Sequence, residues 1–146
     1  SDVCSSDLDR FRLIVTDLRR TSQPIVRVRL DDIVQFQNAP CPCGSSMQAI
    51  EPVEGRVGDI WRWNKVCIFP RQVENAVSEA LSAQEEWRAV ASPTGVQLAC
   101  NAARVDTARA ALAKLLTEAG VTRQVTAHLL PAQTSPKRRR VQWANA

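Results

Sequence analysis

The stretch Glu54-Gly55-Arg56-Val57-Gly58-Asp59-Ile60 separates two parts of the sequence that carry different patterns. Upstream of it, residues 11–18 and 25–36 are rich in β-branched side chains, which favours strands. Downstream of it, strand-like alternation and helical spacing of apolar residues follow one another. The sequence therefore predicts two structural parts with a boundary near Gly55.

The downstream part has the pattern of a small α+β domain. Its first helix is predicted from Pro70, because proline suits the first helical turn and apolar residues then recur at helical spacing. Its second helix is predicted with Asp106 as the N-cap and Gly120 at the end. The predicted strands are residues 60–68, 86–91, 96–100 and 123–130. The order β–α–β–β–α–β predicts a ferredoxin-like sandwich, so the fold class is α+β.

The composition is that of a globular protein with 45% hydrophobic and 23% charged residues in 146. No apolar run reaches membrane-spanning length, so no membrane partner is expected. The formal net charge of +4 suits an anionic partner, and an ordinary solvated surface equally well. Cys67 and Cys100 stand singly in apolar strands, as buried thiols do. Because no disulfide framework is indicated, we expect a reducing, cytoplasmic environment.

The first eight residues, Ser1-Asp2-Val3-Cys4-Ser5-Ser6-Asp7-Leu8, are the in-frame translation of TCA GAC GTG TGC TCT TCC GAT CTN. This string resembles a common short-read sequencing adapter. Residues 1–8 are therefore treated as adapter-derived and excluded from fold prediction.

Two further motifs flank the boundary stretch. Arg27-Val28-Arg29-Leu30-Asp31-Asp32 lies upstream of it, and Ser135-Pro136-Lys137-Arg138-Arg139-Arg140 lies downstream. In this order the three motifs resemble the C-terminal part of adenylate-forming enzymes, and in particular the phenylacetate–CoA ligase/CapK-like family. The resemblance is dense over residues 12–70 and includes the C-terminal lysine motif.

The resemblance implies that the chain is a fragment with a defined domain organisation. Residues 9–54 would be the C-terminal end of a large ATP-binding domain, residues 55–60 a hinge, and residues 61–146 a small mobile C-terminal domain. Most of the active site would then lie upstream of Asp9, so the chain alone is expected to be inactive.

The resemblance also implies an activity for the whole enzyme. It would be an ATP-dependent, AMP-forming acid–thiol ligase that converts a carboxylate and ATP to an acyl adenylate and pyrophosphate, with Mg²⁺ held through the upstream domain. Thioester formation with coenzyme A stays open as a second step, because Lys65 stands where the family has a glycine that admits the thiol-bearing arm.

Five positions inherit a role from the family motifs. Asp32 falls on the ribose-binding aspartate, whose carboxylate can accept hydrogen bonds from both ribose hydroxyls. Arg56 falls on an arginine of the nucleotide side of the cleft. Gly58 and Asp59 occupy the positions of the hinge pair. Lys137 falls on the catalytic lysine, whose ammonium stabilises charge that develops at the α-phosphate.

The loop Pro40-Cys41-Pro42-Cys43-Gly44 carries two thiols one residue apart. Cys41 and Cys43 have the spacing of half a tetrahedral zinc site, which normally needs four ligands. The segment is similar to one in the CapK-like family, where further ligands come from the large domain. A plain turn with reduced thiols remains the alternative.

Two other functions stay open. The basic run Lys137–Arg140, together with Trp61 and Trp63, would suit a nucleic-acid-binding module in which aromatic rings stack on bases. The two tryptophans are more simply explained by strand packing, so nucleic acid is not favoured as a partner. A catalytically inactive accessory domain is the third candidate.

Overall fold

The computed structural model describes residues 9–19, 21–82, 85–100, 103–130 and 139–144. The chain divides into two compact units, one ending at Val57 and the other beginning at Gly58. We refer to them as the N-terminal unit and the C-terminal unit. No helix in the described part of the chain is long and apolar enough to cross a membrane.

The N-terminal unit is a three-stranded antiparallel sheet in the order β1-β2-β3. The strands are β1 (Arg10–Asp17), β2 (Ile25–Gln35) and β3 (Gly55–Arg56). β1 and β2 lie within two residues of the strands predicted from their β-branched content. β3 pairs with β2 through two residues, Arg56 opposite Asp32 and Gly55 opposite Ile33.

Much of the apolar surface of the N-terminal unit is uncovered. Ile33 and Val34 of β2 are its large buried side chains. Of the ten large hydrophobic side chains exposed among the described residues, nine belong to this unit, Leu18 and Met47 being the most exposed. A three-stranded sheet with so small a core has little stability of its own.

The described residues of the C-terminal unit form six strands and two helices. A hairpin of β4 (Trp61–Trp63) and β5 (Val66–Ile68) forms a separate two-stranded sheet. The remaining elements are α1 (Pro70–Ala80), β6 (Trp87–Ala91), β7 (Gly95–Cys100), α2 (Val105–Glu118), β8 (Gln124–His128) and β9 (Val141–Trp143). They build a four-stranded sheet in the order β8-β7-β6-β9, in which β6–β7 is antiparallel and β6–β9 and β7–β8 are parallel.

This arrangement confirms the α+β class but not the ferredoxin-like topology. The predicted first strand, residues 60–68, folds as the β4–β5 hairpin outside the four-stranded sheet. The hairpin turn uses the left-handed conformation of Asn64 (φ 53°), which asparagine tolerates. The place beside β6 is taken by β9, which was not predicted.

The core of the C-terminal unit follows the predicted periodicities. On β6 and β7 every second residue is buried, and each helix buries one stripe of apolar side chains. These residues are Trp87, Ala89, Ala91, Val96, Leu98 and Cys100 from the strands, and Val73, Val77, Ala80, Ala108, Leu112 and Leu116 from the helices.

The helix ends confirm two of three predicted signals. α1 begins at Pro70, and the Gln72 side chain accepts a hydrogen bond of 2.8 Å from the backbone N–H of Phe69. α2 is followed by Gly120 in the left-handed conformation (φ 74°). The prediction of Asp106 as N-cap is wrong, because α2 already begins at Val105 and Asp106 pairs with Arg109 in its first turn.

The prediction of two single buried thiols holds for one of the two. Cys100 is free and buried. Cys67 is half-buried and disulfide-bonded, so the prediction of a reduced thiol is wrong at that position.

Candidate functional site

Asp32 and Arg56, the two predicted nucleotide-binding residues, are paired across neighbouring strands. Asp32 of β2 lies opposite Arg56 of β3 in the antiparallel register. The Nε atom of Arg56 lies 3.8 Å from Oδ1 of Asp32. The Asp32 side chain is 45% exposed and that of Arg56 61% exposed. An exposed ion pair of this kind contributes little to stability. A ligand that replaced the contact between Asp32 and Arg56 would therefore lower the free energy of unfolding only slightly.

The neighbouring carboxylate, Asp31, is engaged by a different cation. Successive residues of a strand point to opposite faces of the sheet. Nη2 of Arg12 on β1 contacts Oδ1 of Asp31 at 2.5 Å, and its Nε donates to the carbonyl oxygen of Leu30. Asp31 and Asp32 therefore pair with different arginines. The carboxylate of Asp32 and the guanidinium of Arg56 form a two-residue polar site at β3, an edge strand of the sheet.

The predicted hinge residues lie in a 3-10 turn, Val57–Asp59. Gly58 is exposed, and a Cβ atom built on it meets no heavy atom within 4 Å. Its φ is not in the left-handed region, so this conformation does not itself require glycine.

Asp59 is the buried charged side chain of the described residues, with 6% of its surface exposed. Its Oδ1 accepts a hydrogen bond from Nη2 of Arg139, a residue 80 positions away. The Arg139 side chain is half-exposed. Since a buried carboxylate is costly without a cationic partner, this ion pair is what allows Asp59 to be buried.

The ion pair is one of several contacts that bind the segment 139–144 to the rest of the C-terminal unit. Nε1 of Trp61 donates to the carbonyl oxygen of Gln142 at 2.8 Å, and the N–H of Ala89 donates to the carbonyl oxygen of Arg140 at 2.7 Å. β9 continues this pairing along β6. The predicted catalytic residue, Lys137, lies outside the described residues. The described chain resumes at Arg139, two positions after it.

Sequence reasoning missed Arg139 as a partner of Asp59. The basic run was visible, but nothing local distinguishes the arginine that meets a carboxylate 80 residues upstream. The sequence offered only a general indication. Asp59 lies directly before Ile60 and Trp61, and its carboxylate would need a cation once those side chains are buried.

Cys41 and Cys43 come close together on a tight turn. The N–H of Gly44 donates to the carbonyl oxygen of Cys41 at 3.0 Å, and Gly44 has φ 79°. The two Sγ atoms lie 2.8 Å apart. Cys43 is exposed, and its pKa is lowered from the usual 9.0, first by the hydrogen bond from the Cys41 thiol and then by a backbone N–H at Ser45.

The two sulfurs lie closer together than two thiolates bound to one tetrahedral zinc, so they are not in a zinc-ligating arrangement in this structure, and the half zinc site stays a prediction. Two thiolates bound to one tetrahedral zinc at about 2.3 Å lie about 3.8 Å apart, whereas Sγ of Cys41 and Sγ of Cys43 are separated by 2.8 Å. In the described ranges no group of three or more His, Cys, Asp or Glu side chains is gathered as a metal site.

The tryptophans required by the nucleic-acid alternative are not available to bases. Trp61 and Trp63 are 0% and 6% exposed. Nε1 of Trp63 donates to the carbonyl oxygen of Ser92, and its ring packs edge-on against Trp143 at 5.3 Å between centroids. Both rings are core residues of the C-terminal unit, as strand packing predicts.

The fold resembles solved structures of one ligase. The crystal structure of 2-hydroxyisobutyryl-CoA ligase in the postadenylation state with R3-HIB-AMP matches with a TM-score of 0.68 and 24% identity, over 94% of this chain and 32% of that chain. The same state with 2-HIB-AMP matches with a TM-score of 0.62 and 24% identity over the same shares. An open conformation with 2-HIB-AMP and CoA matches with a TM-score of 0.52 and 27% identity, over 90% and 32%.

The chain thus spans about a third of the length of these ligase chains. No protein-family model matches the sequence, and no curated protein matches it. What the solved structures have in common with this chain is the fold of about a third of the ligase chain.

Proposed function

We propose that this chain is the C-terminal part of an ATP-dependent ligase that activates a carboxylate as its acyl adenylate, with release of pyrophosphate. The observation that carries the proposal is the fold similarity over 94% of the chain to a ligase solved with an acyl adenylate. In this proposal residues 9–54 end the large ATP-binding domain, residues 55–60 form the hinge and residues 61–146 form the mobile domain.

The uncovered surface of the N-terminal unit supports this organisation. Nine of the ten large hydrophobic side chains exposed in the described part of the chain lie there, and its sheet has only a small core. Burying apolar surface is the main favourable contribution to folding, so this unit needs further structure to pack against. An upstream domain of the length found in the ligase structures would supply it.

The chemistry follows from the residues on either side of the hinge. Asp32 would accept hydrogen bonds from the ribose hydroxyls of ATP, with Arg56 exchanging its contact with Asp32 for one with the nucleotide. The ammonium of Lys137 would lie between the substrate carboxylate and the α-phosphate. Negative charge develops there as the carboxylate oxygen forms its bond to the α-phosphorus and pyrophosphate leaves. The released product is pyrophosphate, whose charge Mg²⁺ held by the upstream domain would balance.

The proposal includes several finer statements. The enzyme belongs to the phenylacetate–CoA ligase/CapK-like branch and acts in the cytoplasm, and coenzyme A is its acceptor in a second, thioester-forming step. The open-conformation ligase structure, whose bound molecules are 2-HIB-AMP and CoA, supports the choice of acceptor. Zinc is left out of the proposal, because the described residues bring only the two thiols of Cys41 and Cys43 together.

The test uses the gene extended upstream of Asp9 through its reading frame, and measures carboxylate-dependent ATP–pyrophosphate exchange over a panel of acids. We expect Lys137→Ala to lower the exchange rate by roughly a hundred- to a thousandfold, the effect of losing one preorganised charged donor, with ATP affinity unchanged. Asp32→Ala should weaken ATP binding, because its ribose contact exists in the ground state.

Arg138→Ala is the matched control, since it removes a neighbouring charge of the same basic run. A slow Arg138 variant beside a fast Lys137 variant would contradict the assignment of the lysine. Exchange with none of the acids, in a protein that binds oligonucleotides, would favour the nucleic-acid function. A folded protein that does neither would be the inactive accessory domain.

A further inference from the structure

The loop of Cys41 and Cys43 has no place in the proposed ligase chemistry. Its two sulfurs lie 2.8 Å apart, and both cysteines are free. A disulfide holds its sulfurs at about 2.05 Å, so these two sulfurs must approach one another by less than about 1 Å to form one. The loop thus holds a dithiol close to the geometry of its own oxidised form.

The turn itself holds the two thiols in this position. Pro42 fixes one backbone angle between them, and the hydrogen bond from Gly44 to Cys41 closes the turn. Gly44 has a φ of 79°, a conformation that few other residues adopt without strain. The turn that carries the two side chains is therefore closed by a hydrogen bond between its own residues.

Access to the two sulfurs is unequal. Cys43 is exposed, whereas Cys41 is half-buried. The other free cysteine of the described residues, Cys100, is buried in the core and cannot meet a reagent from solvent without unfolding. An oxidant in solvent would thus react first with Cys43, whose sulfur lies next to that of Cys41.

We propose that Cys41 and Cys43 form a redox-active dithiol that is closed to an intramolecular disulfide by low-molecular-weight disulfides. In the first step the Cys43 thiolate attacks one sulfur of the small disulfide, the sulfur–sulfur bond of that molecule breaks, and one thiol leaves with the proton that Cys43 gave up. In the second step Cys41 loses its proton to water, attacks Sγ of Cys43 and expels the second thiol. Two protein thiols are oxidised and one small disulfide is reduced to two thiols, so atoms and electrons balance.

The experiment uses the whole 146-residue chain, reduced, freed of metal with a chelator and then exposed to excess glutathione disulfide. After quenching with an alkylating agent, trypsin releases residues 30–56, which contain Cys41 and Cys43 and no other cysteine. We expect this peptide to be two hydrogen atoms lighter than the reduced form and to carry no alkyl group. A thiol reductant should restore two alkylation sites. Oxidation of Met47 adds an oxygen atom and is distinguished by mass.

The matched control is Cys43→Ser, which should give a stable mixed disulfide at Cys41 and no loss of hydrogen. Closure should also be about tenfold slower or more in urea, because the turn that holds the thiols together is then lost. The proposal is overturned if the folded chain stops at mixed disulfides, or if closure is as fast in urea. It is also overturned if one equivalent of Zn²⁺ protects both thiols from the oxidant, since the pair would then be a zinc site.

Discussion

The ion pair between Asp59 and Arg139 gives a quantitative test of the C-terminal unit. Removing one partner of a fully buried pair costs about 3–5 kcal/mol, and an exposed pair is worth about 1 kcal/mol or less. The Asp59 side chain is 9% exposed and that of Arg139 50% exposed, so the pair lies between these limits. We expect Arg139→Met to lower the free energy of unfolding by about 2–3 kcal/mol, because it leaves the Asp59 carboxylate buried without a cation.

The reverse substitution should cost less. Asp59→Asn preserves the shape of the side chain and leaves only a half-exposed guanidinium, which water can solvate, so we expect a loss of about 1 kcal/mol. This asymmetry distinguishes a buried charge from a simple loss of contact. In the double variant the two losses should fall short of their sum, because the second substitution removes a group that is already unpaired.

Urea unfolding followed by tryptophan fluorescence measures these changes. All four tryptophans of the chain, Trp61, Trp63, Trp87 and Trp143, belong to the C-terminal unit, so the signal reports on that unit. With a slope of about 1 kcal/mol per molar urea, Arg139→Met should lower the midpoint of unfolding by roughly 2–3 M.

Arg109→Met is the matched control for this measurement. Arg109 pairs with Asp106 at 2.9 Å on the exposed face of α2, with side chains 50% and 83% exposed. Its loss should cost no more than about 0.5 kcal/mol. The reasoning fails if Arg139→Met is no more destabilising than Arg109→Met, or if Asp59→Asn costs more than Arg139→Met.

Two further predictions concern a thiol and a pair of glycines. Because the Cys41 thiol lowers the pKa of Cys43, alkylation of Cys43 should reach its half-maximal rate below pH 9.0. Cys41→Ala should move that midpoint upward, whereas Cys41→Ser, which keeps a donor, should move it less; no difference between the two would contradict the hydrogen-bond explanation. Gly120→Ala should destabilise the C-terminal unit by about 1 kcal/mol, because Gly120 has the left-handed backbone conformation. Gly58→Ala should be neutral, because the added Cβ meets no heavy atom and the backbone of Gly58 is not left-handed. Urea unfolding compares the two, and equal costs would sink this argument.

The elements predicted best are those set by residues close together in the chain. The first helix could be placed because Pro70 begins it and Val73 and Val77 repeat at helical spacing on its buried side. The alternation Val96, Leu98, Cys100 likewise gave β7 and its inward face. In each case a period of the sequence alone determines which side chains meet the core.

The elements missed depend on contacts that no local pattern encodes. β9 is only three residues long, and the alternation of Val141 and Trp143 around Gln142 is too short to be distinguished from a loop. Its parallel pairing with β6 joins segments about 50 residues apart. Because β9 occupies that edge of β6, the Trp61–Trp63 strand lies outside the four-stranded sheet. The ferredoxin-like prediction therefore assigned the wrong strand to the sheet, although the α+β class was correct.

The candidate site shows the same division between motif and geometry. The family motifs gave Asp32 and Arg56 independently, and the strand register then brought them opposite each other. The motif also gave Asp59, but as a hinge position, and only the structure shows its carboxylate buried against Arg139. Sequence could identify which groups carry charge, while their partners follow from pairing across distant segments.

These two ion pairs bear directly on the proposed hinge. Arg56 and Asp59 are three positions apart, yet Arg56 pairs with β2 within the N-terminal unit and Asp59 pairs with Arg139 within the C-terminal unit. Only Val57 and Gly58 lie between them, and the division into units falls between these two residues. A rotation about the backbone at this point would leave both ion pairs intact, and a Cβ atom built on Gly58 meets no heavy atom within 4 Å. The proposed mobile domain, which carries Lys137, would turn at such a joint, with one ion pair on each side of it.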